Sequence, residues 1–241
     1  MTRRVGTALA LNWTAGYVDA VGFISLYQVY LGNMTGNTVA IAEGLIYHRF
    51  ELVLKRGLAI PEFIIGLLVS RILVELLAQR GVLRVGAIVY TLEILALLGV
   101  VLLGRSIGMF PVPTDSIDLY ILIGFGAFAM GLQNATSTHF GTFDIRTTHV
   151  TGTISKFADH FAKYIKFRFS AVGVNAAMQR TQEAQKAVVY ISMWFFYLAG
   201  GIAGLLLLGP WKFEAFYVPI AVLAVIALLD ACRPMPAVAV S

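Results

Sequence analysis

Two short polar segments interrupt apolar sequence, and both carry residue types that bind polar ligands. The first Thr-Gly element, Gly32–Val39, supplies these candidate binding residues: Asn33, Thr35, Gly36, Asn37 and Thr38. The second Thr-Gly element, Thr147–Thr153, is a weaker copy that supplies Thr148, Thr151, Gly152 and Thr153. Thr and Asn side chains accept hydrogen bonds from the amides that begin a helix, and glycine permits a tight turn. Since a helix N-terminus carries partial positive charge, each element predicts a contact for an anion or polar oxygen.

Asp19 is an ionisable residue within the apolar segment that precedes the first Thr-Gly element. An ionisable side chain on a membrane helix is costly and is a candidate for function. Asp19 could bind a cation, carry a proton or pair with Arg71. The structural alternative is a hydrogen bond to Thr, Asn or backbone near the break. Gln133 and Asn134 occupy the comparable stretch of the second half, and the neutral Asn134 argues against two equal ion sites.

Other charged residues also lie in apolar segments. Arg71 and Glu75 are four residues apart and share one helix face, which predicts a buried ion pair or a gate. For Glu62 and Glu93, a position near a membrane interface and one at mid-depth both stay open.

No arrangement of residues predicts catalysis. The sequence contains no H-E-x-x-H, phosphate-binding loop or G-x-S-x-G motif. Its single cysteine, Cys232, predicts neither a metal site nor a redox pair. We therefore expect no enzymatic activity, no cofactor and no catalytic or metal-binding residues.

The composition indicates a multi-pass membrane protein. The 241 residues are 59% hydrophobic and 13% charged, whereas soluble domains are about 25% charged. The net charge of +5 comes from basic residues between apolar segments, so it predicts orientation in the membrane instead of nucleic-acid binding. Membrane lipid is therefore an expected partner.

The apolar segments predict an all-α membrane domain with about six transmembrane helices. Two halves, 1–110 and 111–241, meet in the loop Arg105–Asp118, which contains two prolines. A short amphipathic run follows each Thr-Gly element and predicts a half-helix or a broken helix. The stretch Lys166–Lys186 is the most polar, and we predict a long loop there. The six segments cover about residues 5–30, 57–78, 85–104, 119–140, 187–208 and 214–232.

The order of segments predicts an internal duplication. Aligning Ala15–Leu45 with Met130–Phe161 pairs Gly16 with Gly131 and superimposes the two Thr-Gly elements. An odd number of crossings in each half would invert one half relative to the other. The two helix N-termini would then converge on one polar site near mid-depth, as in secondary transporters built from inverted repeats. The alternative is that the elements only end and restart helices and pack against each other.

The distribution of basic residues predicts that both termini are cytoplasmic, although the basic 46–57 loop would then be outside. The small-residue pairs Gly66/Ser70 and Gly200/Gly204 allow close helix approach. They favour packing within one chain, and a homo-oligomer stays open.

Two stretches carry a family resemblance. Residues 15–23, Ala-Gly-Tyr-Val-Asp-Ala-Val-Gly-Phe, followed by Asn33–Thr38, resemble the YoaK-like family of uncharacterised bacterial membrane proteins. Residues 131–135, Gly-Leu-Gln-Asn-Ala, and Thr147–Thr153 resemble that family's second signature. The resemblance covers most of the chain and implies a multi-pass protein of the bacterial inner membrane. It implies no particular substrate or activity.

Two functions are consistent with these features. The first is a secondary transporter or channel-like permease for a small polar or anionic solute, with its site between the two repeats. The second is a non-transporting membrane protein that binds a partner or lipid through the basic stretch 166–186.

Overall fold

The structure is a computed structural model that describes residues 2–139, 149–169 and 174–233. Within these ranges the chain is helical and contains no β-strand, so the all-α prediction is confirmed. The elements are α1 (Thr2–Ser25), α2 (Met34–Ile46), α3 (Phe50–Gln79), α4 (Val85–Ile107), α5 (Ile117–His139), α6 (Val150–Phe169), α7 (Val174–Trp211), a 3-10 helix (Lys212–Phe216) and α8 (Tyr217–Cys232).

Four continuous helical stretches are long and apolar enough to cross a membrane: Phe50–Gln79, Val85–Ile107, Ile117–Ala135 and Ala176–Cys232. The last stretch has 57 residues and joins α7, the 3-10 helix and α8. Large apolar side chains such as Leu68 (55% exposed) and Leu206 (73%) cover the outside, as expected of surfaces that contact lipid. Helix α1 is not among the four because Asn12, Thr14 and Asp19 lower its hydropathy, and these three side chains are buried against protein instead.

Helices α1, α4, α5 and α8 form the centre of the molecule, where α4 packs on both α5 and α8, and α1 contacts α5 and α8. Helix α7 packs along α1 on one side of this centre, and α3 packs along α5 on the other. The two short helices are peripheral, since α2 packs on α3 and α6 packs on α7. The buried core includes Tyr17, Leu97, Leu122, Met130 and Leu223.

Two glycines make the α1–α7 crossing possible. Gly16 lies directly against the backbone carbonyl of Tyr197, and Gly200 lies directly against the carbonyl of Trp13. A Cβ on either glycine would overlap the facing carbonyl group. Each glycine therefore faces the residue three positions before the partner's glycine, and the two backbones touch.

The α3–α5 crossing has the same geometry. Gly66 lies against the carbonyl of Phe128, and Gly131 lies against the carbonyl of Phe63. Again each glycine faces the residue three positions before the other glycine. Two helix pairs far apart in sequence thus cross through one reciprocal arrangement.

The contacts also give the helix directions. Gly200 meets Trp13 and Gly204 meets Val21, so α1 and α7 run parallel. Helices α4 and α8 form a further pair. Gly104, near the end of α4, lies against Phe213, which precedes α8. The amide of Ala87, near the start of α4, donates a hydrogen bond to Asp230, near the end of α8. Because the end of α4 lies beside the start of α8, and the start of α4 lies beside the end of α8, the two helices run antiparallel.

Both ends of the described chain lie on the same side of the molecule. The guanidinium group of Arg3 donates one hydrogen bond to the carbonyl oxygen of Leu229 at 2.5 Å and another to the carbonyl oxygen of Arg233. These carbonyl groups end α8, where a cation interacts favourably with the helix dipole. The first turn of α1 is thereby attached to the last turn of α8.

Two predicted boundaries are wrong. The long loop predicted at Lys166–Lys186 is largely helical, since α6 continues to Phe169 and α7 begins at Val174. Alanine, glutamine, arginine and glutamate fill residues 176–186, and these residues favour helix despite their polarity. Helix α3 begins at Phe50 and not near residue 57, which brings the basic end of the predicted loop into the helix.

Candidate functional site

Asp19 fixes the break between α1 and α2. The side chain is 2% exposed, and its two oxygens have different partners. Oδ1 accepts a hydrogen bond from the amide of Gly32 at 2.6 Å, and Oδ2 accepts one from the hydroxyl of Tyr197 on α7 at 2.7 Å. The amides of Leu31 and Asn33 also lie close to this carboxyl group. Asp19 thus makes the backbone contact that the sequence left open as its structural alternative.

Asn37 closes the same break from the other side. Its side chain is fully buried, and its Oδ1 accepts a hydrogen bond from the amide of Tyr30 at 3.0 Å. Its Nδ2 donates to the carbonyl oxygen of Tyr30 at 2.7 Å. The side-chain amide of Asn37 thus satisfies both the backbone N–H and the backbone carbonyl group of Tyr30, as a neighbouring strand would in a sheet. The ring of Tyr30 also stacks on Phe23, with centroids 4.5 Å apart.

Asn33 and Gly36 begin helix α2. Asn33 is the N-cap, and its Oδ1 accepts a hydrogen bond from the amide of Gly36 at 3.1 Å. A Cβ on Gly36 would come within 2.8 Å of the Tyr30 ring, so a larger residue would displace that ring. Thr38 is exposed and donates from its hydroxyl to the carbonyl oxygen of Met34 at 2.8 Å, and Thr35 is also exposed.

The second Thr-Gly element lies at the start of α6. Thr148 is outside the described residues. Thr151 is exposed, and Gly152 is half-buried against the ring of His149. Thr153 donates from its hydroxyl to the carbonyl oxygen of His149 at 3.0 Å. As in the first element, a threonine hydroxyl bonds the backbone four residues earlier.

The two elements do not meet directly. In the parts of the chain that the structure describes, no contact joins α2 to α6, because each packs on the helix that follows it. On α5, Gln133 is buried and Asn134 half-buried, both remote from α2 in the packing. The expected contact between two helix N-termini is therefore not seen, and the assignment of these residues to substrate binding stays a prediction.

Arg71 and Glu75 both lie on α3, where Arg71 is half-buried and Glu75 exposed. Their role as an ion pair or gate stays a prediction.

The sequence interpretation missed two buried cations, Lys55 and Arg56, because it placed them in a loop. Lys55 is 3% exposed, and its Nζ lies 3.6 Å from Oε2 of Glu51 and 5.3 Å from the centre of the Tyr27 ring. Arg56 is 6% exposed, and its Nε has no hydrogen-bond partner within the described chain. Extending helical periodicity back to Phe50 would have placed both on the first turns of α3.

An open cavity of about 490 Å³ lies beside Lys55. It is bounded by the turn that ends α1, the start of α3 and the loop before α5. Positive side chains outnumber negative ones in its wall, which makes it suited to a small polar or anionic molecule. Its lining residues are Tyr27, Gln28, His48, Arg49, Phe50, Glu51, Leu52, Lys55 and Thr114.

Comparison with known sequences identifies the family. The family described as "Protein of unknown function (DUF1275)" matches residues 7–229. The chain belongs to this family. The UPF0700 transmembrane protein YoaK of Bacillus subtilis (strain 168) is 27% identical over 155 residues, which are 64% of this chain. They are 66% of that relative, just under two thirds of its length. No solved structure matches the chain.

The match confirms the resemblance to YoaK-like proteins, and it agrees with the apolar helices in indicating a membrane protein.

This DUF1275 protein also contains a polar site that the sequence did not single out. Glu93 and Tyr90 on α4 are both fully buried. Within the described chain, neither oxygen of the Glu93 carboxyl group has a hydrogen-bond partner, and neither does the Tyr90 hydroxyl. Glu93 therefore lies in the protein core.

Proposed function

We propose that this DUF1275 protein is a secondary transporter or channel-like permease for a small polar or anionic solute in the bacterial inner membrane. The observation that carries the proposal is the pair of equivalent glycine crossings, α1 with α7 and α3 with α5. They favour an internal duplication of the kind found in many secondary transporters.

The crossings relate the two halves of the chain in a specific way. Residues 1–110 contribute α1 to α4, and residues 111–241 contribute α5 to α8. In chain order, α1 to α4 of the first half correspond to α5 to α8 of the second half. Under this correspondence the α1–α7 crossing is equivalent to the α3–α5 crossing, and the α2–α3 pair is equivalent to the α6–α7 pair. If three longer helices of each half cross the membrane, the halves have opposite orientations. The short helices α2 and α6 then supply the broken-helix elements of two inverted repeats.

The same crossings provide a mechanism for alternating access. Each half places its first long helix on the second long helix of the other half, so neither half is a separate lobe. Contacts between backbones at glycine contain no interdigitated side chains, and small residues permit close approach of membrane helices. We propose that the two crossings act as pivots about which the halves rock.

The charge of the cavity beside the first break gives the class of solute. The buried Lys55 faces it, and Arg49 and His48 also contribute to its wall. A cation in a partly dehydrated site attracts anions more strongly than one in water. We propose that an anion or polar solute enters here before reaching residues of the two Thr-Gly elements.

The attachment of Arg3 to the end of α8 supports the proposed orientation. The start of α1 and the end of α8 share one side of the molecule, and an excess of basic residues on that side favours the cytoplasm.

A second function is favoured by one observation on α6. This helix exposes Phe161 (45%), Ile165 (41%) and Phe169 (81%), and it carries the basic residues Lys163, Lys166 and Arg168 near its end. An amphipathic helix of this kind suits an anionic membrane surface. The protein would then bind lipid or a partner through the basic stretch 166–186 without transporting a solute.

Flux measurements on proteoliposomes test the transport proposal. We would measure solid-supported-membrane currents with chloride, nitrate, phosphate and acetate, and isotope uptake with urea and glycerol. At least one solute should give a protein-dependent signal. Gly66→Ala, which places a Cβ against the Phe128 carbonyl group, should abolish that signal, whereas Gly57→Ala on the same helix should retain it because no atom lies within 4 Å of its Cβ position.

Absence of any protein-dependent flux from folded, inserted wild-type protein would overturn the transport proposal. Binding of anionic lipid that depends on Lys163, Lys166 and Arg168, in the same preparation, would then support the second function.

A further inference from the structure

Helix α4 carries two buried polar groups one turn apart. Tyr90 and Glu93 are three residues apart, and both side chains have no exposed surface. Neither the hydroxyl of Tyr90 nor either oxygen of Glu93 has a hydrogen-bond partner in the described chain. Burial without a partner is unfavourable for a polar group, and it is more unfavourable for a charge. Such groups need a functional explanation.

A third acidic group connects this pair to one surface of the molecule. Asp230 on α8 is 1% exposed, and its Oδ2 accepts a hydrogen bond from the amide of Ala87 at 2.9 Å. Tyr90 lies close enough to Asp230 and to Glu93 for electrostatic interaction with both. Asp230 is next to Leu229, whose carbonyl group accepts a hydrogen bond from Arg3, so it lies at the end of the molecule where the start of α1 meets the end of α8.

We propose that Glu93 is a proton-binding site within the membrane, reached from that end through Asp230 and Tyr90. Ala87, Tyr90 and Glu93 follow one another on one side of α4. Each lies three residues after the one before, which is about 4.5 Å further along the helix axis. A carboxyl group, a phenol hydroxyl and a second carboxyl group can each donate and accept a proton. When rotation of these side chains brings them into hydrogen-bond contact, protonated Asp230 gives its proton to the Tyr90 oxygen while the Tyr90 hydroxyl gives its own proton to an oxygen of Glu93. The new Tyr90 hydroxyl then turns back toward Asp230, and the phenol is unchanged overall.

A proton suits the site better than a metal ion. No group of three or more His, Cys, Asp or Glu side chains among the described residues could hold a metal ion. A proton requires no cavity, and it neutralises a carboxylate that has no cation beside it. Intramembrane carboxyl groups of this kind form the proton relays of transporters.

No described charged side chain on the helices that pack against α4 neutralises Glu93 in place of a proton. On α8 the facing group is Asp230. In the 3-10 helix, Glu214 pairs with Arg105 at 3.5 Å near the far end of α4. The remaining described charged groups are Glu51, Lys55, Arg56, Glu62, Arg71 and Glu75 on α3, Asp118 at the start of α5, and Lys212 in the 3-10 helix. None of these forms a hydrogen bond or ion pair with Glu93 in the described structure.

Carbodiimide labelling of the whole protein in liposomes tests the proposal. Dicyclohexylcarbodiimide reacts with protonated carboxyl groups in apolar surroundings, and mass spectrometry locates the adduct. We expect labelling of Glu93 at low pH that falls severalfold as the pH rises, since only the protonated form reacts. Glu93→Gln should abolish the adduct in that peptide. Glu51, which is exposed to water at the start of α3, serves as the internal control.

The Tyr90→Phe variant tests the proton relay without disturbing the fold. The substitution removes a hydroxyl that has no partner, so the free energy of unfolding should change little. It should nevertheless slow proton exchange at Glu93 severalfold, measured as the hydrogen–deuterium shift of the carboxyl band by infrared spectroscopy. Absent or pH-independent labelling of Glu93 in wild-type protein, or equal exchange rates in wild type and Tyr90→Phe, would overturn the proposal.

The coupling of this proton to a solute rests on the proposed transport function, whereas labelling and exchange do not. With a transported solute, Glu93→Gln should leave downhill flux and abolish accumulation driven by a pH gradient. Labelled Glu93 without any flux would reject the transport function alone, and flux without titrating Glu93 would reject the proton site alone.

Discussion

The hydroxyl of Tyr197 on α7 donates a hydrogen bond of 2.7 Å to Asp19 on α1, while the other oxygen of Asp19 holds the amide of Gly32. One carboxyl group thus joins the break before α2 to a helix of the other half. Movement of α7 relative to α1 would therefore stretch the hydrogen bond that this carboxyl group receives from Tyr197.

Loss of this hydrogen bond should destabilise the α1–α7 pair. Tyr197→Phe leaves Oδ2 of Asp19 buried without its donor, and we expect a loss of about 1–2 kcal/mol, as found for charge-assisted bonds and strong membrane pairs. Tyr47→Phe is the matched control because Tyr47 is 65% exposed. Thermal unfolding in detergent measures both variants, and an unchanged midpoint for Tyr197→Phe would contradict the assignment.

Gly16→Ala should be more damaging than its position in an apolar helix suggests. The new Cβ would overlap the Tyr197 carbonyl group and force α1 from α7, with an expected cost of about 1–3 kcal/mol. Gly6→Ala on the same helix should be neutral or stabilising because no atom lies within 4 Å of that Cβ position. The measurement is again the unfolding midpoint, and equal midpoints for the two variants would refute the close crossing.

Asn37 and Asn33 should respond differently to the same substitution. Asn37→Asp removes the Nδ2 donor to the Tyr30 carbonyl oxygen and should cost about 1–3 kcal/mol locally. Asn33→Asp keeps the acceptor for the Gly36 amide and adds negative charge at a helix N-terminus, so it should be tolerated. Hydrogen exchange of residues 29–38 should accelerate in Asn37→Asp only. Faster exchange in both variants would show that the amide pairing is not specific.

Lys55→Gln should remove the response of the protein to anions. If an anion binds beside Lys55, saturating anion raises the free energy of unfolding by about 2.7 kcal/mol at 100 times its dissociation constant. Lys55→Gln should lose most of that gain. Arg105→Gln is the control because Arg105 is an exposed cation at the end of α4, paired with Glu214. Equal anion-induced shifts in both variants would exclude Lys55 as the binding group.

Much of the fold followed from local sequence, and the rest depended on contacts between distant residues. The first Thr-Gly element was sufficient to predict a short helical element after it, and α2 does begin there, at Met34. Sequence spacing also paired Gly16 with Gly131, and both glycines do occupy helix crossings. No local pattern could reveal that α1 crosses α7, since that choice of partner is set by the packing of the whole chain.

The contacts of the candidate site residues were harder to predict than the fold. Asp19 stood out in the sequence as a charge within an apolar segment, but its partner Tyr197 is 178 positions away in the chain. Polarity of the stretch 166–186 suggested a loop, although its residues are good helix formers. Glu93 could not be placed by sequence because one acidic residue in an apolar helix is compatible with an interface or with the core. Its burial depends on α5 and α8, which pack against α4.

The α1–α7 crossing also constrains how the chain is assembled during synthesis. Helix α1 leaves the ribosome first, yet Tyr197 and Gly200, which cover its polar and glycine-containing face, are made only after most of the chain. Asp19 therefore enters the membrane region before its donor on α7 exists. Biogenesis of this protein must keep α1 shielded, at the translocation machinery or by provisional contacts, until α7 arrives, and truncation before α7 should leave α1 poorly inserted.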